Sequence, residues 1–226
     1  MKKVIFNADD LGLSKGINQG ILKACTDGVA TSVSLMVKHQ AAKDGVKIFK
    51  GNRNVSLGLH FELDKKDVEY LKKHPKKFSA KKVEELEKEF LDQVALFVKL
   101  VQKMPDHIDG HYSAHVLPGI GKFVSRYCKV NRIPMRRQEG VNFVDEFFGQ
   151  RSMITPSVSR LVEVLNNLPD GVSEIMFHPG IVTPDLKGSY LKERELELEA
   201  LVSPKVKNEI KILGIKPINW KEVSRS

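Results

Sequence analysis

The sequence predicts an α/β protein built on a mostly parallel β-sheet that is either open or closed into a barrel. The main observation is that strand-like and helix-like segments alternate along the whole chain, as they do in βα units. A length of 226 residues is enough to bury a substantial core, and no Pro-, Gly- or Ser-rich linker interrupts it. We therefore expect a single domain over residues 1–226.

The first element is predicted to be a buried strand, because an apolar run begins at Val4 and ends at the adjacent carboxylates Asp9 and Asp10. A helix opens near Ser14, shortly after this strand. The next elements are predicted as a helix at 14–27, a strand at 30–37, a weaker helix at 40–49 and a strand at 55–61. The strand predicted at 55–61 also carries a polar side chain, His60, near its carboxyl end.

The second half of the chain continues the alternation. Residues 64–79 are rich in lysine and are predicted as turns, whereas residues 80–103 give the clearest amphipathic helix. The elements that follow are predicted as a short strand at 107–110, a helix at 119–130, a short strand at 133–136, a loop at 138–152, a helix at 157–168, a strand at 172–177, helices at 191–201 and 204–213, and a last strand at 215–218. The loop carries Phe143, Phe147 and Phe148, so it is interpreted either as a hydrophobic flap or as a substrate contact, with equal weight.

The formal net charge of +9 raises the hypothesis of nucleic-acid binding. The lysines, however, are spread along the chain, which is typical of solvated helix faces and loops. The sequence contains no nucleic-acid recognition motif, and its aromatic residues do not interleave with basic ones as a stacking platform requires. We expect no nucleic-acid partner, and we interpret the charge as favouring solubility or the attraction of anionic ligands.

The composition also predicts a cytoplasmic location without a membrane partner. The apolar segment that follows the N-terminal lysines is too short for a signal peptide, and no later run approaches membrane-spanning length. Cys25 and Cys128 lie in predicted helices and have neither metal-binding nor redox spacing. They are predicted to be buried free thiols.

Four predicted strands end in side chains that are able to bind a metal or transfer a proton. These are the pair Asp9 and Asp10, then His60, the region of His111, and His178. Each has an ordinary structural explanation by itself, since an Asp can cap a turn and a His can be a satisfied polar group. Parallel strands bring their carboxyl ends to one edge, so together these residues predict a mononuclear divalent-metal site. One carboxylate and two histidines leave positions for water, the second carboxylate is free to act as a base, and His178 can donate a proton from another strand.

Four motifs, in matching order over nearly the whole chain, resemble the YdjC-like carbohydrate deacetylases, the family that includes chitooligosaccharide deacetylase. They are Asn7-Ala8-Asp9-Asp10-Leu11-Gly12-Leu13-Ser14 with its continuation through Ile21, Gly58-Leu59-His60-Phe61, His107-Ile108-Asp109-Gly110-His111 with His115 and Pro118, and Phe177-His178-Pro179-Gly180. The resemblance implies a distorted (β/α) barrel related to the polysaccharide deacetylases. It also implies hydrolysis of an N-acetyl group on an amino sugar.

By this resemblance, Asp10, His60 and His111 are the metal ligands and Asp9 is the catalytic base. The metal polarises the acetamide carbonyl and lowers the pKa of a bound water in that scheme. His178 protonates the departing amine.

Further residues have two interpretations each. His115 is either an alternative proton donor or a support for the metal site. Arg136 and Arg137 follow a predicted strand, and they either orient Asp9 or are exposed surface charges. Tyr190 and Arg194 stand where the family often carries a tyrosine and an arginine, and they are interpreted as substrate or structural contacts.

The chain departs from the family pattern in two places. The family commonly has a longer segment after the histidine of the third strand, whereas here Glu62 leads directly into a short lysine-rich region. The family also often has a further histidine where this chain has Ser113. Neither departure removes a predicted ligand, but both lie where substrate recognition can change.

The leading hypothesis is a metal-dependent hydrolase that removes the acetyl group from a small N-acetylated sugar such as a chitooligosaccharide. One alternative is a metal hydrolase for another amide, ester or phosphate, and another is a non-catalytic sugar-binding module. The cofactor is expected to be one divalent ion. Two imidazoles favour zinc, whereas a carboxylate with several waters accommodates magnesium. A homodimer is compatible with the sequence.

Overall fold

The computed structural model describes residues 1–75, 78–147, 155–184, 186 and 188–223. Its strands are β1 (Lys2–Leu11), β2 (Ser32–Leu35), β3 (Ser56–Phe61), β4 (Ile108–Gly110), β5 (Val141–Val144), β6 (Gly171–Phe177) and β7 (Lys216–Pro217). Its α-helices are α1 (Lys15–Thr26), α2 (Ala42–Phe49), α3 (Lys65–Lys73), α4 (Ala80–Val101), α5 (Gly121–Asn131), α6 (Val158–Asn167), α7 (Lys192–Val202) and α8 (Pro204–Ile212). Two 3-10 segments cover His111–Val116 and Trp220–Glu222. The predicted alternation of strands and helices is confirmed.

The strands form one parallel sheet in the order β4-β3-β2-β1-β6-β5. Strand β1 lies at its centre, where β6 pairs with Lys2 to Ala8 and β2 pairs with Asn7, Ala8 and Leu11. The short β7 pairs with the beginning of β1, at Lys3 and Val4. Because all these pairs are parallel, the carboxyl ends of the strands lie along one edge of the sheet.

The two faces of the sheet differ in polarity. Apolar side chains of alternate strand residues pack in the main hydrophobic clusters, and they include Val4, Phe6, Ala8, Val33, Leu35, Leu57, Leu59, Phe61, Ile108, Ile175 and Phe177. The residues between them are often polar, yet buried, and they include Asn7, Asp9, Ser32, Ser34, His60, Asp109 and Glu174. This alternation follows from the two-residue period of a strand, which sends neighbouring side chains to opposite faces. The polar face leads to the carboxyl edge of the sheet.

Three predictions about secondary structure were wrong: the turns at 64–79, the loop at 138–152 and the strand at 133–136. Residues 65–73, predicted as turns, form α3, in which Val68 and Leu71 are buried. Lysine and glutamate are good helix formers, and two buried positions in nine residues give only a weak periodic signal. The predicted loop at 138–152 contains β5, which pairs with β6 and adds an edge strand to the sheet.

The segment predicted as a strand at 133–136 makes only a single bridge, between Ile108 and Met135. Phe147 of the predicted loop is buried in the core beside Phe177, and Phe143 lies in the cavity described below. Phe148 lies outside the described residues. The strand predicted at 30–37 is shorter, at Ser32–Leu35.

Cys25 and Cys128 are free thiols, as predicted, but only Cys128 is fully buried, whereas Cys25 is half-buried. Burial raises the pKa of each thiol to about 12. Among the described residues, no helix combines the length and the apolar character that a membrane span requires. The cytoplasmic location and the homodimer stay predictions.

Candidate active site

A cavity of about 590 Å³ opens at the carboxyl edge of the sheet, a size typical of small-molecule sites. Its walls come from the ends of β1, β3 and β6, from the segment after β4, and from α7. Nine of the candidate site residues from the sequence line it: Asp9, Asp10, His60, His111, Arg136, Arg137, His178, Tyr190 and Arg194. His115 is fully buried and is not part of the lining.

The adjacent carboxylates Asp9 and Asp10 both reach this cavity because β1 is irregular at its end. In a regular strand the two side chains would point to opposite faces of the sheet. The register with β2 shifts between Ala8 and Leu11, and Asp10 has a φ of 71°, in the left-handed region. This conformation is unusual for a residue other than Gly and costs of order 1–3 kcal/mol.

Asp10, His60 and His111 form a group with metal-binding geometry. Oδ1 of Asp10 lies 3.4 Å from Nε2 of His60 and 3.3 Å from Nδ1 of His111. Within the described part of the chain, Oδ1 of Asp10 and Nε2 of His60 are buried atoms without a hydrogen-bond partner. Buried polar atoms without partners are rare, and a cation at this point would satisfy them. The donor set therefore fits a divalent metal.

A second group of possible ligands consists of Asp9, His60 and Asp109. Its carboxylates already accept hydrogen bonds from protein donors: Asp9 from Arg136 and Asn7, and Asp109 from His60. Ligand atoms that are already satisfied gain less from a metal ion. The group around Asp10 is consequently the better candidate.

The electrostatic environment favours a positive charge between these ligands. Burial opposes the charged form of His60, yet the nearby carboxylates of Asp109 and Asp9 raise its pKa well above the ordinary value. Burial also opposes the charged form of Asp10, but the guanidinium of Arg194 and the imidazole of His111 hold its pKa well below the ordinary value. Either a proton or a metal cation can supply the positive charge, and the two compete because metal ligands bind in their deprotonated forms.

Arg136 holds Asp9 in a bidentate ion pair. Nη1 donates to Oδ2 of Asp9 and Nη2 to Oδ1, each at 2.8 Å, and Nε donates to Glu174 at 2.9 Å. All three side chains are at most 2% exposed. Burial raises the pKa of Glu174 to about 8, which favours its protonated form at neutral pH. Of the two arginines in question, Arg136 thus contacts Asp9, whereas Arg137 stacks on Phe143, 4.1 Å from the ring centroid.

His178 stands directly after β6 on the other side of Asp9, with Nε2 at 3.9 Å from Oδ2 of Asp9. Its backbone N–H donates to Oε2 of Glu197 at 2.5 Å, and the hydroxyl of Tyr190 donates to the other oxygen of the same carboxyl group. Burial lowers the pKa of His178 to about 4, so the ring is neutral at neutral pH. Arg194 extends from α7 to Oδ2 of Asp10 at 2.6 Å and to the carbonyl of His178 at 3.4 Å.

Sequence reasoning did not assign roles to Asp109 or Glu197, both of which are fully buried and bonded to residues of the site. A signal for Asp109 was present, since it lies in the short strand predicted at 107–110, two residues before the predicted ligand His111. Glu197 follows Arg194 by three residues, which places both on one side of a helix. Neither spacing indicates which distant side chain is contacted.

The segments that depart from the family pattern border the cavity. Lys65 and Lys72 of α3 line it, and so do Tyr112 and Ser113. Tyr112 is 50% exposed, and both Tyr112 and Ser113 have positive φ angles, of 51° and 61°. Strained backbone of this kind is concentrated at functional sites.

Comparisons with known proteins identify the family of this chain. A family profile described as YdjC-like protein matches residues 3–211. The carbohydrate deacetylase of Vibrio cholerae (strain M66-2) is 33% identical over 225 residues, which cover 89% of this chain and 88% of that protein.

Solved structures show the same fold. A protein of Enterococcus faecalis, proposed to cleave cellobiose phosphate, superimposes with a TM-score of 0.78 at 23% identity over 99% of both chains. The peptidoglycan deacetylase PdaC of Bacillus subtilis superimposes with a TM-score of 0.58 at 14% identity, over 96% of this chain and 87% of that one. The chain belongs to the YdjC-like family of carbohydrate deacetylases and has the distorted (β/α) barrel of the polysaccharide deacetylases.

Proposed function

We propose that this protein is a metal-dependent hydrolase that removes the acetyl group from a small N-acetylated sugar, with chitooligosaccharides as the first substrates to test. The observation that carries the proposal is the position of Asp9. Its carboxylate lies 4.0 Å from the unpartnered Nε2 of His60 and 3.9 Å from Nε2 of His178. The carbohydrate deacetylases among its relatives support this reaction class.

Asp10, His60 and His111 are the residues that would hold the metal. A divalent ion bound there polarises the amide carbonyl and lowers the pKa of water. Zinc and magnesium both remain candidates, since two imidazoles suit zinc and carboxylate oxygen suits magnesium.

Asp9 is proposed as the general base. Its carboxylate accepts one proton from the water that attacks the carbonyl carbon of the acetamide group. Arg136 holds both oxygens of this carboxylate, which keeps Asp9 oriented and compensates its charge beside the second acid, Asp10. The amide C–N bond then breaks, the leaving nitrogen takes up the proton and becomes the free amine, and the acetyl group leaves as acetic acid, which releases its own proton to solvent to give acetate.

His178 is proposed to deliver that proton to the amine. Because burial lowers the pKa of His178 to about 4, the resting ring does not carry the extra proton at neutral pH. The proton that Asp9 takes from water is the one available, and the 3.9 Å separation between Asp9 and His178 is short enough for its transfer after a small movement. One proton thus passes from the water to the leaving amine without a net change in the protein.

The test is acetate release from N,N′-diacetylchitobiose and chitotriose by the metal-loaded protein, with Asp9→Asn and Asp10→Ala as variants. We expect release by the wild type, metal retention without turnover in Asp9→Asn, and loss of metal in Asp10→Ala. Normal metal content in Asp10→Ala would contradict the ligand assignment. Metal binding by the wild type without acetate release from any N-acetylated sugar would contradict the reaction.

Hydrolysis of a phosphate ester is a second candidate function, and one observation favours it. Lys65 and Lys72 line the cavity, and neither forms an ion pair with any residue in the described part of the chain. Their charges would attract an anionic group. Parallel assays with p-nitrophenyl phosphate and p-nitrophenyl acetate distinguish the two, since only the acetate ester should be cleaved if the deacetylase proposal is correct.

A further inference from the structure

Asp109 lies beneath the cavity, where its carboxylate accepts hydrogen bonds from two parts of the site. Oδ1 accepts from Nδ1 of His60 at 2.7 Å. Oδ2 accepts from Oγ of Ser34 at 2.7 Å and forms an ion pair with Nη2 of Arg136 at 2.8 Å. Asp109 is fully buried and is not among the residues that line the cavity, so it does not reach the substrate.

The first consequence concerns the tautomer of His60. An ionised carboxylate only accepts hydrogen bonds, so the contact with Asp109 requires the proton of the imidazole to be on Nδ1. The lone pair of a neutral His60 is then on Nε2, the unpartnered atom that faces Asp10. A carboxylate behind a metal-ligating histidine is the usual means of fixing its ring and its tautomer.

The second consequence concerns Asp9. Nη2 of Arg136 lies 2.8 Å from Oδ1 of Asp9 and 2.8 Å from Oδ2 of Asp109, so one N–H₂ group joins the two carboxylates. Asp109 therefore fixes the guanidinium that in turn fixes Asp9. A single buried carboxylate thereby joins the proposed metal ligand to the partner of the proposed base.

The remaining neighbours of Asp109 are also donors. Ser34 has one hydroxyl proton and donates it to Asp109, so it must accept from Nδ2 of Asn7 at 2.7 Å and from Nε2 of His107 at 3.0 Å. The same Nδ2 of Asn7 lies 3.4 Å from Asp109. In Asp109→Asn, the side-chain N–H₂ group would face at least one of these donors, and two donors form no hydrogen bond with each other.

We propose that Asp109 is a positioning residue that sets His60 for metal binding and, through Arg136, sets the orientation of Asp9. This inference rests on the proposed function and extends it to a residue outside the cavity. It predicts that loss of the Asp109 charge weakens metal binding, although Asp109 is not itself a ligand.

The experiment compares Asp109→Asn with Asp106→Asn in the full chain. Asp106 precedes β4, where its carboxylate accepts from the backbone of Leu57 and from Lys103 outside the cavity. Zinc affinity is measured by competition with a chromogenic chelator, and kcat and KM are measured separately. We expect Asp109→Asn to bind zinc about 10–100-fold more weakly than the wild type and to lose kcat, while Asp106→Asn binds zinc normally. Equal zinc affinity in both variants would overturn the proposal.

A second measurement does not depend on whether Asp109→Asn folds. In zinc-loaded wild type with ¹⁵N-labelled histidine, the resonances of His60 should show a protonated Nδ1 and a metal-bound Nε2. Their assignment follows from their absence in His60→Gln. A protonated Nε2 would overturn the proposal.

The failure of the proposed function is distinguishable from the failure of this inference. If the wild type binds zinc but releases no acetate, the reaction is wrong, and the chelator and NMR measurements still decide the role of Asp109. If the wild type binds no divalent metal, the metal site and the role of Asp109 are both overturned.

Discussion

Nη2 of Arg194 donates a hydrogen bond to Oδ2 of Asp10 at 2.6 Å, and so joins α7 to the end of β1 across 184 residues of sequence. This contact occupies one oxygen of the Asp10 carboxylate. The other oxygen, Oδ1, then faces His60 and His111. Arg194 is therefore positioned to orient the proposed ligand and to maintain its charge in a buried site.

We expect Arg194→Gln to weaken zinc binding by about tenfold or more, because Asp10 loses both its orienting bond and its neighbouring positive charge. The measurement is chelator competition at neutral pH. Arg160→Gln is the matched control, since Arg160 lies on α6 and forms an ion pair with Glu163 away from the cavity. Equal zinc affinity in the two variants would contradict this role.

The two histidines considered as proton donors give opposite expectations. His178 lines the cavity and His115 does not, so His178→Gln should lower kcat for acetate release by about 10²–10⁴-fold with zinc still bound. His115→Gln should retain most of the activity of the folded protein. Single-turnover acetate release with equal zinc occupancy makes the comparison. A larger loss in His115→Gln than in His178→Gln would assign the proton donor to His115 instead.

Tyr112 is expected to contribute to substrate binding. Its ring lines the cavity, is 50% exposed and contacts His111 with a centroid separation of 4.1 Å. Tyr112→Ala should raise KM for chitotriose severalfold while zinc affinity changes little. Tyr70→Ala is the control, because Tyr70 is similarly exposed, at 42%, but lies outside the cavity lining. Unchanged KM in Tyr112→Ala would exclude a role in binding this sugar.

The stability of the fold is expected to depend on the pH through His115. Burial lowers the pKa of His115 to about 3, whereas the unfolded chain protonates it below about 6.5. The unfolded state therefore binds more protons between these values, and the free energy of unfolding falls as the pH falls. Between pH 7 and pH 5, the free energy of unfolding should therefore decrease by about 2 kcal/mol less in His115→Leu than in the wild type.

Urea unfolding at the two pH values measures this difference. The comparison uses the change with pH within each protein, so a uniform destabilisation of the variant does not affect it. Identical changes in wild type and His115→Leu would contradict the prediction, because they would show that His115 takes up its proton over the same pH range in the folded and unfolded protein.

Much of the site was predictable from the sequence. Asp9, Asp10, His60 and His178 each stand at the end of a segment with strand character, and parallel strands present such ends along one edge. Local periodicity was sufficient to identify these strands, because it reflects the alternation between core and polar faces. It was insufficient for α3 and β5, which have only two buried apolar side chains each.

The sequence by itself determined most of the strands and helices and the chemical groups that meet at the carboxyl edge. Only the tertiary structure decided which groups contact one another. Arg136 and Arg137 are adjacent in the sequence, yet one is buried on Asp9 and the other stacks on Phe143. The sharing of Asp109 between His60 and Arg136 is likewise invisible in any local pattern. The physical reason is that secondary structure follows from the periodicity of neighbouring residues, whereas these contacts join side chains far apart in sequence and depend on how the strands pack.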